Sequence, residues 1–472
     1  MNNTPLSAHA HMRRTKKQLK NKRHLSPTQI IMLGFIALIL VGALLLSLPI
    51  SSQNGVSTPL SDSLFTATSA TCVTGLVSVD TGTHWSVFGE TVILLLIQIG
   101  GLGFMTMAVM MSMFIKRQIT PRERLLVAQS LGLSGVGGTV KLVRRILIGT
   151  FSIEALGAAA FATQFVPLFG WVRGLWYSVF HSVSFFCNAG FDILDGTGGY
   201  GGGFSSLTHF AGNRVIEITA MLLVIIGGIG FIVWDDIVNF VKKRERISVY
   251  SKFILTLTAI LLISGTLLIA LFEWNNPETL ANKSALDKIL ACTFQSVTTR
   301  TAGVDMINNA AMTEPTKLIC MLLMFIGGAS GSTAGGIKVG TFGVIICAMI
   351  AFAKGDDELS VYRRTIPHKT VVRALTIVGI DLAAVLTAAL VIVGTSDGVS
   401  MIDALYEAFS GIATVGLSLS LTPTLSLAGH IAIIILMFFG RVGILTITYS
   451  IILRSAKKSS LIKYPDVDIM IG

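Results

Sequence analysis

Four short glycine-containing turns recur at a nearly constant interval along the 472-residue chain. Their glycines are Gly75, Gly190, Gly303 and Gly416, which lie 115, 113 and 113 residues apart. A small or β-branched residue precedes each glycine, and a bulky apolar residue follows it. A regular interval of this kind indicates repeated structural units. We therefore predict four similar units, each with one of these glycine turns near its centre.

Two apolar stretches flank each turn, and all eight are long enough to cross a hydrocarbon core of about 30 Å as helices. They lie near residues 28–50, 88–115, 141–166, 212–240, 250–274, 316–353, 370–394 and 428–453. Charged residues make up 13% of the chain, against about 25% in soluble domains, which also favours a membrane protein. The first stretch is too long to be the apolar region of a signal peptide, so we predict that it spans the membrane.

The basic residues alternate between the two sides of this predicted topology. Of the 36 lysines and arginines, 28 fall in the two terminal tails and in every second connection. Only six lie in the alternate connections, which hold the glycine turns. The positive-inside rule therefore predicts eight crossings with both termini in the cytoplasm. Because the basic residues form no single basic face, nucleic-acid binding is not expected.

The segment before each glycine turn has the length of a helix that enters the bilayer without crossing it. Ser61, Ser284 and Ser400 are predicted to cap three of these segments. Non-helical backbone at membrane depth is tolerated only where it is buried in protein or lines a wet cavity. Four such turns around one axis would satisfy this condition by enclosing a pore.

The predicted fold is therefore an all-α integral membrane protein with four tandem helix–pore-loop–helix repeats. These repeats are expected to stand in a pseudo-fourfold arrangement around a central pore, with eight spanning helices. The predicted boundaries are a basic N-terminal tail at 1–25, repeats at 26–118, 119–240, 241–353 and 354–454, and a C-terminal tail at 455–472.

The composition of the glycine turns is typical of a filter that selects cations. Such a filter needs a ring of backbone carbonyl oxygens, and glycine permits the backbone angles that direct them to the axis. Short helices that end at the turns add partial negative charge there. The predicted filter residues are Val73, Thr74, Gly75, Asn188, Ala189, Gly190, Thr301, Ala302, Gly303, Thr414, Val415 and Gly416. The alternative is four ordinary hairpins in a helical bundle, which the matched positions of the turns make less favourable.

Three aspartates follow the first three filter glycines. Asp80, Asp192 and Asp305 lie five, two and two residues after them. They are consistent with an acidic vestibule that concentrates cations, and equally with solvated loop carboxylates.

A glycine-rich segment interrupts the sixth apolar stretch. It contains Gly327, Gly328, Ala329, Ser330, Gly331, Ser332, Thr333, Ala334, Gly335, Gly336, Ile337 and Lys338. Because each interior glycine costs a helix roughly 1 kcal/mol relative to alanine, we predict a break in mid-membrane below the filter. A kink that only fits neighbouring helices is the alternative. Glycine pairs at equivalent places in the other units are expected to be packing contacts between helices.

Two cations lie in or beside these apolar segments. Arg441 replaces the second glycine of the pair in the fourth unit. An intramembrane arginine is costly and usually faces a pore or a partner, although pairing with backbone carbonyls alone would also satisfy it. Lys338, at the cytoplasmic end of the segment, could extend to the membrane surface.

These turns and the glycine-rich segment resemble those of the Trk/Ktr/HKT superfamily of potassium transporters and channels, over the chain from about Ser26 onward. Because the basic tail leads directly into the first repeat, the chain is similar to the Ktr-type membrane subunit. The resemblance implies potassium as the permeant ion, since all four filter positions are glycine, and leaves sodium open as a permeant or stimulating ion. It also implies that the glycine-rich segment is a gate and that Arg441 lies beside it.

The same resemblance implies partners and a location. Ktr-type subunits form homodimers on a cytosolic ring of nucleotide-binding (RCK-type) regulatory subunits, and it is the ring that binds ATP or ADP. Docking would use basic surfaces such as 116–124, 242–252 and 354–364. The expected location is a bacterial plasma membrane, in contact with lipid and with no organic cofactor on this chain.

The residues support other function classes to different degrees. A sodium-permeable or sodium-coupled symporter of the same architecture stays open, whereas four repeats in one direction disfavour a transporter built from inverted halves. A membrane enzyme would need grouped catalytic residues, and Glu154, Glu217 and Asp381 are isolated in sequence. His181 and Trp234 are interpreted as packing residues.

Overall fold

The computed structural model describes residues 27–114, 119–130, 137–194, 206–356 and 358–443. The two predicted tails and the end of the eighth apolar stretch lie outside these ranges. The first two units contain α1 (Pro27–Leu46), α2 (Leu60–Cys72), α3 (Thr81–His84), α4 (Val87–Leu102), α5 (Phe104–Phe114), α6 (Pro121–Ser130), α7 (Thr139–Phe169), α8 (Trp171–Phe186), α9 (Arg214–Gly228) and α10 (Phe231–Lys243). The last two contain α11 (Val249–Glu273), α12 (Ala285–Thr298), α13 (Glu314–Phe325), α14 (Val339–Lys354), the hairpin β1 (Ser360–Val361) and β2 (Arg364–Thr365), α15 (His368–Thr395), α16 (Met401–Ala413) and α17 (Leu427–Val442).

Each unit has the predicted order of elements. A long first helix (α1, α7, α11 or α15) leads to a short re-entrant helix (α2, α8, α12 or α16), which ends at the glycine turn. The second helix (α4, α9, α13 or α17) follows the turn. In every unit the first helix packs on the re-entrant helix that comes after it.

The four units close into a ring. The second helix of each unit packs on the re-entrant helix of the next, in the pairs α4–α8, α9–α12 and α13–α16. The fourth unit completes the ring, because α17 packs on α2 of the first. The predicted all-α, pseudo-fourfold fold is thus confirmed.

The second helices of the first three units differ from the first helices because they are interrupted. The four first helices are each long and apolar enough to cross a membrane, and α9 with α10 would form a fifth span despite a bend of 98° between them. The other predicted crossings consist of shorter pieces: α4 with α5, α13 with α14, and α17, which is described as far as Val442.

The predicted glycine contacts explain how closely these helices pack. A methyl group added to Gly100, Gly227 or Gly440 would overlap a carbonyl oxygen at the end of a re-entrant helix; these oxygens belong to Thr71, Phe186 and Ile412 respectively. The prediction that these glycines are packing contacts is confirmed, because no larger residue leaves room for the re-entrant helix.

Two of the three predicted helix caps are confirmed. Ser284 and Ser400 accept hydrogen bonds from the backbone N–H groups of Asp287 and Asp403. The prediction for Ser61 is wrong, since α2 already begins at Leu60 after Pro59. Proline fixes a backbone angle suited to a helix start and lacks only an N–H that would have no helical partner there.

Candidate ion filter and gate

The four glycine turns meet around one axis. In each turn, a methyl group added to the glycine would lie close to a backbone carbonyl oxygen of the following turn. The distance is 2.5 Å from the methyl group on Gly75 to Ala189 O and 2.8 Å from that on Gly190 to Ala302 O. The oxygens approached in this way belong to Ala189 for Gly75, Ala302 for Gly190, Val415 for Gly303 and Thr74 for Gly416. Since the fourth turn contacts the first, these approaches form a closed cycle of backbone atoms.

Each turn has the same unusual backbone. The glycines have φ values of 96°, 68°, 66° and 98°, and the residues two places earlier also have positive φ. Those earlier residues are Val73 (60°), Asn188 (60°), Thr301 (71°) and Thr414 (51°). Positive φ is an outlier for a β-branched residue, and three of the four are β-branched. Such strain persists only where the surroundings impose it, typically at functional sites.

A cavity of about 470 Å³ adjoins the glycine turns. Its lining includes the four glycines together with Asp80, Asp192 and Asp305; we call this cavity the vestibule. Backbone N–H groups of Thr83 and Leu194 hold the first two carboxylates, and the Asn309 side chain holds the third at 2.6 Å. Of the two interpretations of these aspartates, the shared acidic cavity is therefore favoured.

The glycine-rich segment forms an ordered loop rather than a kinked helix. Between α13 and α14, residues 326–338 contain no helix. The ends of the loop are joined, since Gly327 N–H donates to Ile337 O at 2.9 Å and Val339 N–H donates to Gly328 O at 3.0 Å. The predicted break is confirmed, and it takes the form of a loop whose ends are joined by two backbone hydrogen bonds.

The loop lies directly against the fourth glycine turn. A methyl group added to Gly335 would overlap the Thr414 hydroxyl, and one added to Gly336 would lie 3.2 Å from Ala413 Cα. The loop also pairs with the bent second unit, because Ala329 N–H donates to Gly228 O at 2.9 Å and Phe231 N–H donates to Gly331 O at 2.8 Å. Any wider opening beneath the glycine turns would have to displace these contacts.

Arg441 and Lys338 both bind backbone carbonyls of this region. The Arg441 guanidinium donates to Thr333 O within the segment, and to two carbonyls of the first unit, Gly100 O and, at 2.9 Å, Gly101 O. Lys338 Nζ donates to Ala334 O at 2.7 Å and Gly335 O at 3.3 Å. Lys338 therefore curls back onto the segment instead of extending to the surface. Among the described residues, no carboxylate pairs with either cation.

Two of the isolated carboxylates, Glu154 and Glu217, and the packing residues His181 and Trp234 have hydrogen-bond partners. Glu154 accepts from Gln98 Nε2 at 3.0 Å, and Glu217 accepts from Gly212 N–H at 2.7 Å. Buried His181 contacts Tyr177 O at 2.7 Å, and Trp234 Nε1 donates to Ile226 O at 2.9 Å. Within the described ranges, no three histidines, cysteines or acidic residues are grouped to hold a metal ion.

Comparison with known proteins places this architecture in a family. A family model described as cation transport protein, TrkH, matches residues 3–461. The chain is 40% identical to the potassium/sodium uptake protein NtpJ of Enterococcus hirae, covering 96% of this chain and 98% of that protein. It is 39% identical to the Ktr system potassium uptake protein B of Bacillus subtilis, covering 95% and 97%.

This chain belongs to the TrkH family of cation transport proteins. Its fold agrees with the crystal structure of the potassium transporter TrkH from Vibrio parahaemolyticus, with a TM-score of 0.69 over 91% of this chain and 86% of that one, at 17% identity. The predicted resemblance is thus confirmed at the level of the family. As a TrkH-family member, the chain is a multi-pass membrane protein of cation transport.

Sequence reasoning missed the hydroxyls that hold the glycine turns of this TrkH-family chain. Ser69 and Ser410 accept hydrogen bonds from the N–H groups of Gly75 and Gly416, at 3.0 and 3.1 Å. Thr298 does the same for Val304 N–H at 2.9 Å. A serine six residues before the glycine in the first, second and fourth turns was the available signal.

Proposed function

We propose that this chain takes up potassium across the plasma membrane through a filter made of backbone carbonyls from the four glycine turns. The closed cycle of close backbone approaches, in which each turn contacts the next, is the observation that carries this proposal. The four re-entrant helices end at these turns, so their partial negative charge favours a cation there. Carbonyl oxygens replace the hydration shell of the ion, and no titratable side chain takes part.

The twelve residues predicted from the sequence are the proposed filter. Their positive φ values recur at two of every three positions, as a repeated coordination geometry requires. The relatives named for potassium uptake, at 35–40% identity, support the choice of ion. One of them is named for potassium and sodium uptake, which favours sodium-permeable or sodium-coupled transport as the second candidate.

The glycine-rich segment is the proposed gate. It lies against Thr414 on the side of the filter away from the vestibule, and Arg441 and Lys338 hold it through backbone carbonyls. The charge of Arg441 would oppose a cation below the filter as long as the segment is closed. Displacing the segment would remove both the obstruction and the hydrogen bonds that fix this charge.

A homodimer on a cytosolic nucleotide-binding ring is the proposed assembly. Relatives bearing the name Ktr system support a transporter with more than one component. Exposed basic residues at 242–246 and in the hairpin of β1 and β2 are candidate docking points. An acidic surface on the regulatory subunits would complement them.

Flux into lipid vesicles tests the proposal. Vesicles containing only this chain are expected to accumulate rubidium, as a potassium tracer, down an imposed potassium gradient. Unlabelled potassium should compete about tenfold better than sodium, a difference of about 1.4 kcal/mol. Equal competition by sodium would support the second candidate, and no flux above protein-free vesicles would refute both.

A further inference from the structure

Asn188 differs from its counterparts in the other glycine turns because its side chain both donates and accepts hydrogen bonds. Val73, Thr301 and Thr414 occupy the equivalent positions, also with positive φ. Asparagine adopts such angles more readily than most residues, but its β-branched counterparts adopt them too. The backbone therefore does not explain why asparagine stands here. The side chain is fully buried, so its hydrogen bonds determine its role.

The carboxamide of Asn188 joins two parts of the site. Its Nδ2 donates to Arg300 O at 3.4 Å and to Thr301 Oγ1 at 3.3 Å, both beside the third glycine turn. Because a carbonyl oxygen can only accept, the amide nitrogen must face Arg300. The amide oxygen then faces the glycine-rich segment, where it accepts from Thr333 Oγ1 at 3.1 Å.

Gly227 has no side chain and therefore leaves room for the hydrogen bond between Asn188 and Thr333. A methyl group added to Gly227 would lie 2.7 Å from the amide oxygen of Asn188 and 2.9 Å from the Thr333 hydroxyl. Thr333 N–H donates to Gly227 O at 3.3 Å, and the Thr333 hydroxyl also lies 3.2 Å from Phe186 O. Thr333 is thus held from three directions, and it is fully buried.

The same contacts connect all four units. Thr333 O accepts a hydrogen bond from Arg441 of the fourth unit, and Arg441 reaches Gly101 of the first. Asn188 belongs to the second unit, and its amide nitrogen donates to Arg300 O and Thr301 Oγ1 beside the third glycine turn. A second connection runs parallel to this one, since buried Arg300 donates from Nη2 to Gly327 O at 3.1 Å. Movement of the segment would therefore act on the backbone of the third turn.

We propose that Asn188 is a positioning residue that couples the glycine-rich segment to the ion filter, an inference that rests on the proposed function. Displacement of Thr333 releases the amide oxygen of Asn188, and the carboxamide then loses its fixed orientation toward Thr301. Opening the gate thereby changes the carbonyl positions of the third turn. Because coupling between two sites is reciprocal, ion occupancy of the filter also shifts the position of the segment.

A double-mutant cycle in the flux assay tests this coupling. Thr333→Val removes the hydroxyl at nearly constant shape, and Asn188→Leu removes the carboxamide at similar size. Each variant is expected to lower the potassium-to-sodium flux ratio about fivefold, which corresponds to about 1 kcal/mol for a lost hydrogen bond. The double variant should show the same loss as Asn188→Leu alone, because Asn188→Leu already removes the hydrogen bond that Thr333→Val removes. Independent, multiplying losses would overturn the proposal.

Two controls keep the outcome decisive. Thr333→Ser retains the hydroxyl and should keep the wild-type ratio, while Thr266→Val removes a hydroxyl that donates to Leu262 O within α11 and should leave the ratio unchanged. If Asn188→Leu fails to fold, the Thr333→Val and Thr333→Ser pair still decides, and equal ratios for these two refute the coupling. A wild-type chain without potassium preference would instead refute the proposed function itself.

Discussion

Replacing Gly75 by serine is expected to lower the preference for potassium over sodium about tenfold. The added Cβ would lie 2.5 Å from Ala189 O, so the first and second turns must move apart. The residue would also keep a φ near 96°, where a non-glycine residue costs on the order of 1–3 kcal/mol. A tenfold change in the potassium-to-sodium preference corresponds to about 1.4 kcal/mol, so the backbone strain is large enough to produce it. Rubidium and sodium fluxes in vesicles measure the ratio directly.

Gly212→Ser is the matched control for this substitution. Gly212 has the same φ of 96°, but no atom of the described residues lies within 4 Å of its added Cβ. The control therefore imposes the same backbone strain without disturbing the glycine turns, and it should retain the wild-type selectivity. A Gly75→Ser protein that remains as selective as Gly212→Ser would contradict the filter assignment.

Deleting residues 329–336 is expected to raise basal potassium flux about tenfold or more, a change of at least about 1.4 kcal/mol in the closed-to-open balance. The deletion removes the backbone that lies against Thr414 and Ala413. The flanking chain ends are close together, because Gly328 O accepts from Val339 N–H at 3.0 Å. The measurement is flux in the absence of any regulatory partner.

The substitution Arg441→Met tests the same proposed gate without deleting any residues. It preserves much of the side-chain length but removes the donors to Thr333 O and Gly101 O. We expect a smaller rise in flux in the same direction, because the segment loses one anchor and the pore loses one positive charge. Wild-type flux in both variants would show that the glycine-rich segment is not a gate.

The sequence predicted features that depend on local backbone chemistry. The glycine turns, the re-entrant helices and the break at 326–338 follow from glycine content and segment length, and the structure has all of them. Ser61 failed as a cap because α2 begins at Leu60, directly after Pro59, two residues before the start that a cap at Ser61 would give. That error concerns one helix boundary and leaves the fold unaffected.

Contacts between distant units could not be predicted in the same way. Arg441 meets Gly100 and Gly101 across more than 300 residues of chain, and Asn188 meets Thr333 across 145. Nothing local requires these pairs; the first forms where α17 packs on α2 and closes the ring, and the second forms where the second and third units meet, with α9 packed on α12. The sequence showed that Arg441 would be costly in a membrane. The backbone carbonyls that bind it could be identified only from the closed ring.

The position of a bound ion tests the central claim most directly. Anomalous scattering from crystals grown with rubidium would locate the ion without reference to any assay. We expect density on the common axis, within coordinating distance of carbonyl oxygens such as those of Thr74, Ala189, Ala302 and Val415. Rubidium bound only at the carboxylates of the vestibule, with no density between the four glycines, would contradict the account.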